Sequence, residues 1–360
     1  MTEDAVRKAS ILVYRAVGGG AEKIVMGIAR LLRQRGQLEK LYVGMAPSPD
    51  VNASMSVVSL DSARALGAIP ALFRAIPGDH AETYLLTANY LALAPVLRLR
   101  KPSARIIIRV ASIVSVEMRD RGLLSRLRYS AGTGLALACA TEVIAQGEDM
   151  RRDLIGAFPF AERKIVVIRN FIEEAVWNHR PTPVADYPYI FCAATFRPVK
   201  AFDTMLAAFS KSSARKERKL VIGGIDPADR DFRALMERFG LSENEVIRLG
   251  FVEPPYDWIA GADLCVLTSR YEGFSNFLLE AAAFGKRIIS TDCPGGNREL
   301  LALYPNATTV PVDDVDALAL ALAEPRQDMP RAEARRILAP FEWDRISVDY
   351  LRTLFPERPD

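Results

Sequence analysis

Histidine is almost missing from this chain, with only His80 and His179 in 360 residues, and its four cysteines (Cys139, Cys192, Cys265, Cys293) stand far apart with no Cys-x-x-Cys pair. Zinc sites and disulfide frameworks need such ligands in clusters, so neither is expected. Cys139, Cys192 and Cys265 read as small core residues. No stretch approaches the roughly 18 to 20 consecutive apolar residues that cross a bilayer. The opening Met-Thr-Glu-Asp-Ala-Val-Arg-Lys is not a signal peptide, which makes a cytoplasmic protein the expectation. Internal repeats and low-complexity tracts are also lacking.

Half of the residues are hydrophobic and a quarter are charged, as in ordinary soluble globular proteins, and the length accommodates two domains. The net charge of +3 hides an asymmetry: residues 1–180 hold 25 Lys and Arg against 17 Asp and Glu, and the remainder holds 22 against 27. The bias peaks from Arg98 to Arg128, where nine basic residues accompany only Glu117 and Asp120. Apolar residues interleave them, as in Leu123-Leu-Ser-Arg-Leu-Arg-Tyr129, a pattern that suits the headgroup region of an anionic membrane and equally a solvated arginine-rich face. Nucleic acid is not expected, because no recognised binding motif is present.

Apolar runs alternate with helical patterns throughout, the signature of parallel βαβ units. Strands are predicted at 11–14, 41–44, 57–60, 83–86, 106–110, 142–145 and 165–168, then at 189–193, 220–222, 246–249, 264–268, 287–290 and 308–310. Helical spacing covers 21–35, 149–157, 277–284 and the closing stretch 341–355. Between the halves, residues 173–188 contain three prolines and no periodicity and read as a linker. The expected layout is a first domain over 1–172, a linker over 173–188 and a second domain over 189–341.

The most informative stretch is Ser269-Arg-Tyr-Glu-Gly-Phe-Ser-Asn-Phe-Leu-Leu-Glu280. Glu272 falls in the loop at the carboxyl end of a predicted strand, where open α/β sheets bind ligands. Ser275 or Asn276 is the N-cap of the following helix, and the amides of Phe274 to Asn276 are its unpaired donors, suited to an anion such as a diphosphate. Glu280 lies about one turn in. The alternative is an exposed loop acid plus a helix-face acid.

Other groups have the same placement. Gly18-Gly-Gly20 follows the first strand and lets amides approach a phosphate or a developing anion, or else forms a flexible turn; Gly-x-Gly-x-x-Gly would need glycine at Lys23. Arg197 and Lys200 follow the first strand of the second half, where two cations would neutralise a diphosphate. Gly223 opens a glycine turn beside the same pocket, and Phe251 offers a flat face to a nucleobase. Asp314-Val-Asp316 reads as helix N-terminal capping rather than a metal site, and no metal is assigned.

These motifs, in order and spacing, resemble the retaining nucleotide-sugar glycosyltransferases of glycosyltransferase family 4. Gly18-Gly-Gly-Ala-Glu22 is similar to the family's first glycine loop, and Lys200-Ala-Phe-Asp203 to its Lys-Gly-Phe-Asp segment. Leu249-Gly-Phe251, Pro294-Gly-Gly-Asn-Arg-Glu299 and above all the Glu272-x7-Glu280 signature also match. The resemblance implies a GT-B fold, two doubly wound parallel-sheet Rossmann-like domains facing each other across a cleft, with the closing helix 342–360 crossing back onto the first domain. It implies transfer of a hexose or N-acetylhexosamine from a nucleotide-diphosphate sugar to a lipid-linked or polysaccharide acceptor, with retained anomeric configuration, in lipopolysaccharide or capsule synthesis. The cellular place implied is the inner face of the cell membrane.

By the same resemblance Glu280 holds the donor ribose and Glu272 contacts the transferred sugar. Gly273, Phe274, Ser275 and Asn276 supply amides, Lys200 and Arg197 carry the diphosphate, and Gly19, Gly20, Gly223 and Phe251 complete the donor site, without metal or cofactor. Two positions depart from the family: Thr195 stands where an arginine is common, and Arg109-Val-Ala-Ser112 where relatives carry a histidine. The acceptor-side contact is therefore unassigned. A nucleotide-sugar 2-epimerase of the same architecture and a non-catalytic partner subunit are the alternatives.

Overall fold

The computed structural model describes residues 6–16, 19–45, 55–62, 64–119, 121–325 and 327–357. They form two α/β units, one running to Phe171 and resuming at Asp344, the other spanning Ile172–Trp343. The first contains β1 (Ala9–Val13), β2 (Leu38–Val43), β3 (Val57–Ser59), β4 (Thr83–Thr87), β5 (Arg105–Arg109), β6 (Glu142–Ala145) and β7 (Ile165–Val167) in the order β3-β2-β1-β4-β5-β6-β7. The second contains β8 (Tyr189–Ala193), β9 (Lys219–Gly223), β10 (Val246–Arg248), β11 (Leu264–Leu267), β12 (Ile288–Thr291) and β13 (Ala307–Val310) in the order β10-β9-β8-β11-β12-β13.

Every pairing of these strands is parallel. Both doubly wound sheets expected from the apolar runs are thus present, with strand ends displaced by three residues at most. The physical reason is visible in β1, β4 and β11, whose residues are all buried. Strands covered on both faces need continuous apolar sequence, which is the pattern most easily read. Strand order reverses between β1 and β4 and again between β8 and β11. At such a switch point neighbouring connections leave on opposite faces and open a crevice beyond the carboxyl ends. In the second unit the loops flanking that point are 194–201 and 268–275.

Residues 173–188 are not a free linker in the structure but part of the second unit. Glu174–Asn178 is helical with Val176 fully buried, and Trp177, Val184, Ala185 and Tyr187 pack against the core. Arg331 ties the segment down through the carbonyls of Val176, Trp177 and His179 at 2.6, 3.1 and 3.0 Å. The prolines remove backbone donors and so preclude a sheet ladder, but they leave the apolar side chains between them able to bury.

The closing helix, Trp343–Leu354, completes the first unit. Ile346, Tyr350 and Leu354 are buried, and the carbonyl of Leu354 accepts from Thr83 Oγ1 on β4 at 2.9 Å. Arg109, at the end of β5, is 1% exposed and donates to Tyr350 Oη at 3.0 Å and to Asn170 Oδ1 at 2.7 Å. A guanidinium so buried needs these partners, because an unmet charged donor costs more than the bond itself contributes. Tyr350→Phe should therefore lower unfolding free energy by about 1–3 kcal/mol in urea titration, and an unchanged midpoint would show that Arg109 finds another acceptor.

Candidate functional site

The loop after β8 turns through a single 3-10 turn, Pro198–Lys200, into the helix Phe202–Lys211. The loop after β11 runs through Ser269–Gly273 into the helix Asn276–Ala283. They meet at one ion pair, in which Lys200 Nζ donates to Glu272 Oε1 with side chains only 19% and 12% exposed. Ser269 Oγ donates to the same carboxylate oxygen at 2.6 Å. Thr268 Oγ1 donates to the carbonyl of Lys200 at 2.8 Å. Two charges from loops 72 residues apart thus face each other at the switch point of the sheet.

Ser275 is the N-cap of the helix, its Oγ accepting from Leu278 N at 3.3 Å. This resolves the choice between Ser275 and Asn276. Glu280 is 7% exposed on the same helix, about 6 Å beyond its first residue at 1.5 Å per residue. Asn297, fully buried, accepts the Ser275 amide on its Oδ1 at 2.8 Å, while its Nδ2 has no hydrogen-bond partner among the described residues. The loop after β12 closes over the glutamate loop: Glu272 N donates to Pro294 O at 3.1 Å and Gly296 N to Gly273 O at 2.7 Å. That approach requires Gly295, whose φ is +133° and where a Cβ would overlap the Glu272 carbonyl. Beside it Cys293 is buried, and desolvation pushes its thiol up to about 12, so it stays neutral near the ion pair.

The remaining sequence-predicted residues take other places. Arg197 is exposed, and no side-chain partner for it is seen among the described residues. Gly223 ends β9 in register with Ala193 of β8. Phe251 is 65% exposed after β10. Gly19 and Gly20 belong to the first unit, at the start of the helix Gly20–Gln34, with Gly19 as N-cap at φ +76°; Val17 and Gly18 lie outside the described residues. Glu22, at the third helical position, turns its carboxylate back over Gly19, as in a capping box. Burial raises its pKa, opposed by its own amide, Arg109 and Arg15, so an anion entering there meets a carboxylate as well as amides.

The basic stretch also divides. Arg98 donates to the carbonyls of Cys139, Pro102 and Ala104, Lys101 to that of Asp79, Arg105 to Glu142, and Arg109 is buried. Arg119, Arg121, Arg126 and Arg128 are exposed, beside Leu123, Leu124 and Leu127 at 74%, 71% and 59% exposure. Among the described residues no helix is long and apolar enough to cross a membrane. His179 is engaged by Asp257 at 2.7 Å and edge-on to Tyr256 and Phe284.

Sequence reasoning passed over Ser269, Thr268, Arg270, Gly295 and Asn297. Ser269 and Arg270 fall within the Ser269–Glu280 stretch, Thr268 directly precedes it, and Gly295 and Asn297 fall in the matched Pro294–Glu299 segment; position beside a motif was a usable signal for these segments, though not for the bonds that each side chain makes.

Residues 187–328 match the family described as glycosyl transferases group 1. Over 341 residues, 90% of this chain and 91% of the relative, the sequence is 22% identical to the N-acetylgalactosamine-N,N'-diacetylbacillosaminyl-diphospho-undecaprenol 4-alpha-N-acetylgalactosaminyltransferase of Campylobacter jejuni. Sucrose-phosphate synthase of Thermosynechococcus elongatus superposes with a TM-score of 0.77 at 16% identity, covering 96% of this chain and 97% of that one. HepE of Anabaena, solved with UDP and glucose, also gives 0.77 at 19% identity, covering 98% and 100%. These likenesses identify the fold as GT-B.

Gly295→Ala forces both a glycine-only backbone conformation and a clash with the glutamate loop, and should cost about 3 kcal/mol or more in chemical denaturation. Stability within 1 kcal/mol of the parent protein would show instead that the two loops separate freely.

Proposed function

We propose that this GT-B glycosyltransferase moves a hexose or N-acetylhexosamine from a nucleotide-diphosphate sugar to a lipid-linked or polysaccharide acceptor in cell-surface glycan synthesis, with retention at the anomeric carbon. The observation that carries the reading is the Lys200–Glu272 ion pair, which joins the loops on either side of the sheet's switch point at the mouth of the helix Asn276–Ala283. Breaking a glycosidic phosphate bond places negative charge on the leaving diphosphate and positive character on the sugar. Lys200 and the backbone of Gly273 to Asn276, where the Ser275 amide is already held by Asn297, answer the first, and Glu272, freed from the lysine by the incoming phosphate, accepts hydroxyl hydrogen bonds of the sugar. Glu280 takes the ribose, Arg197 joins Lys200 at the diphosphate, and Gly223 and Phe251 complete the donor contacts of the second unit.

No residue is asked to act as nucleophile. The departing phosphate oxygen takes the acceptor proton, so the protein contributes alignment and charge stabilisation. A lipid-linked acceptor is favoured by the name of the Campylobacter relative and by the leucine and arginine surface at 119–128, which suits an anionic membrane. Engagement of His179 by Asp257 leaves no histidine in the described donor site for the proton transfers of an epimerase.

Incubation with a panel of nucleotide sugars and undecaprenyl- or glycan-based acceptors should release nucleoside diphosphate, and a panel giving neither binding nor release sinks the reading. Lys200→Met should lower kcat/KM by about 10²–10³, an effect that vanishes only if the diphosphate is held elsewhere. Turnover should persist in EDTA, because Lys200 and helix amides carry the charge a metal would otherwise meet. Vesicles containing anionic lipid should retain the protein and neutral ones should not; Leu124→Glu with Leu127→Glu should abolish that retention, and equal retention by both vesicle types would place the membrane contact elsewhere.

A further inference from the structure

Arg270 sits two residues before Glu272 and binds three loop ends at once. Its backbone amide donates to the carbonyl of Val199 at 2.8 Å, and its Nη1 to that of Pro198 at 2.7 Å. Its Nη2 donates to Asp203 Oδ2 at 2.8 Å, and its Nε to Asp313 Oδ2 at 3.0 Å. Asp313, in the loop after β13, also accepts from Thr204 Oγ1 at 2.9 Å. The loops following β8, β11 and β13 therefore converge on one guanidinium.

Two residues in this knot have left-handed backbones without being glycine: Ala201 at φ +48°, immediately after Lys200, and Asp313 at φ +60°. Such conformations persist only where surrounding bonds over-determine them. The charges are one third to one half exposed, and ion pairs of that exposure contribute little to global stability. The planar fork of arginine matters more here than its charge, since three acceptors in different directions are met by one rigid group that lysine cannot reproduce.

We propose that Arg270 is a positioning residue that holds the Lys200 loop against the Glu272 loop, so that one diphosphate is gripped from both. The inference rests on the donor-binding reading of Lys200 and Glu272. Arg270 itself does not carry the phosphate; it acts through Lys200.

The experiment is a double-mutant cycle read by calorimetry, with UDP, GDP and ADP each titrated beside its monophosphate into the parent protein, Arg270→Met, Lys200→Met and the double variant. Arg270→Met should weaken the preferred diphosphate by about tenfold while leaving the monophosphate within about twofold, and should cost nothing further in the Lys200→Met background. Arg270→Lys should be nearly as poor as Arg270→Met, because it keeps the charge and loses the fork. Equal weakening of diphosphate and monophosphate overturns the proposal, as does a loss that persists without Lys200, which would make Arg270 a direct phosphate ligand. If Arg270→Met does not fold, Asp313→Asn decides in the same way. A parent protein that binds none of the three diphosphates overturns the donor reading and this inference together; binding that Arg270→Met leaves untouched while Lys200→Met weakens it overturns this inference alone.

Discussion

Two loops that belong to different strands can act on one ligand only if they are held to each other, and in the second domain that holding is done by backbone carbonyls. The carbonyls of Pro198, Val199 and Lys200 accept from the Arg270 guanidinium, the Arg270 amide and Thr268 Oγ1, and the carbonyl of Pro294 accepts from Glu272. The Lys200–Glu272 ion pair is the consequence. Mostly buried charges left single would each carry a desolvation penalty of several kcal/mol; the pairing offsets it and holds both side chains in place. In the proposed donor reading, a diphosphate and a sugar hydroxyl offer replacements of the same kind, an anion for the lysine and donors for the glutamate, so that substrate would exchange the pair for two equivalent interactions instead of stripping either charge.

The helix Asn276–Ala283 shows how the same segment serves packing and chemistry. Phe277 through Ala283 are all buried, so the helix is fixed on every side. Its rigidity transmits to its first turn, where the Ser275 cap and Asn297 set the direction of the amides. Glu280 is the exception in this apolar run, a carboxylate kept where a core residue would pack better, which is the kind of local inconsistency that marks function. In the first domain the corresponding investment is structural: Arg109 spends its donors on Tyr350 and Asn170.

Most of the fold was legible in the amino-acid sequence, because parallel strands buried on both faces are continuous apolar runs and their βαβ alternation survives even when boundaries drift. The segment 173–188 was misread because proline density speaks of missing backbone donors and says nothing about where Val176 or Tyr187 bury. Of the candidate site, Glu272, Glu280 and Lys200 stood out by spacing beside glycine turns, and the cap was narrowed to Ser275 or Asn276. Arg270 was not, although it stands inside the same motif, since its partners Pro198, Asp203 and Asp313 lie up to 72 residues away. An arginine on a loop carries no sign of how many acceptors will surround it.

By itself the sequence determined the two doubly wound sheets, the helix that begins at the glutamate loop and the chemical types brought to its mouth, since periodicity, capping and residue chemistry are local properties of a chain. The tertiary structure alone decided that Lys200 and Glu272 pair, that Glu22 turns back over its own helix start, and that Arg119, Arg121, Arg126 and Arg128 are left exposed near bare leucines while Arg98, Lys101, Arg105 and Arg109 are spent on protein acceptors. Those outcomes depend on strand order and on which carbonyls lie within reach, distances that a one-dimensional pattern does not contain.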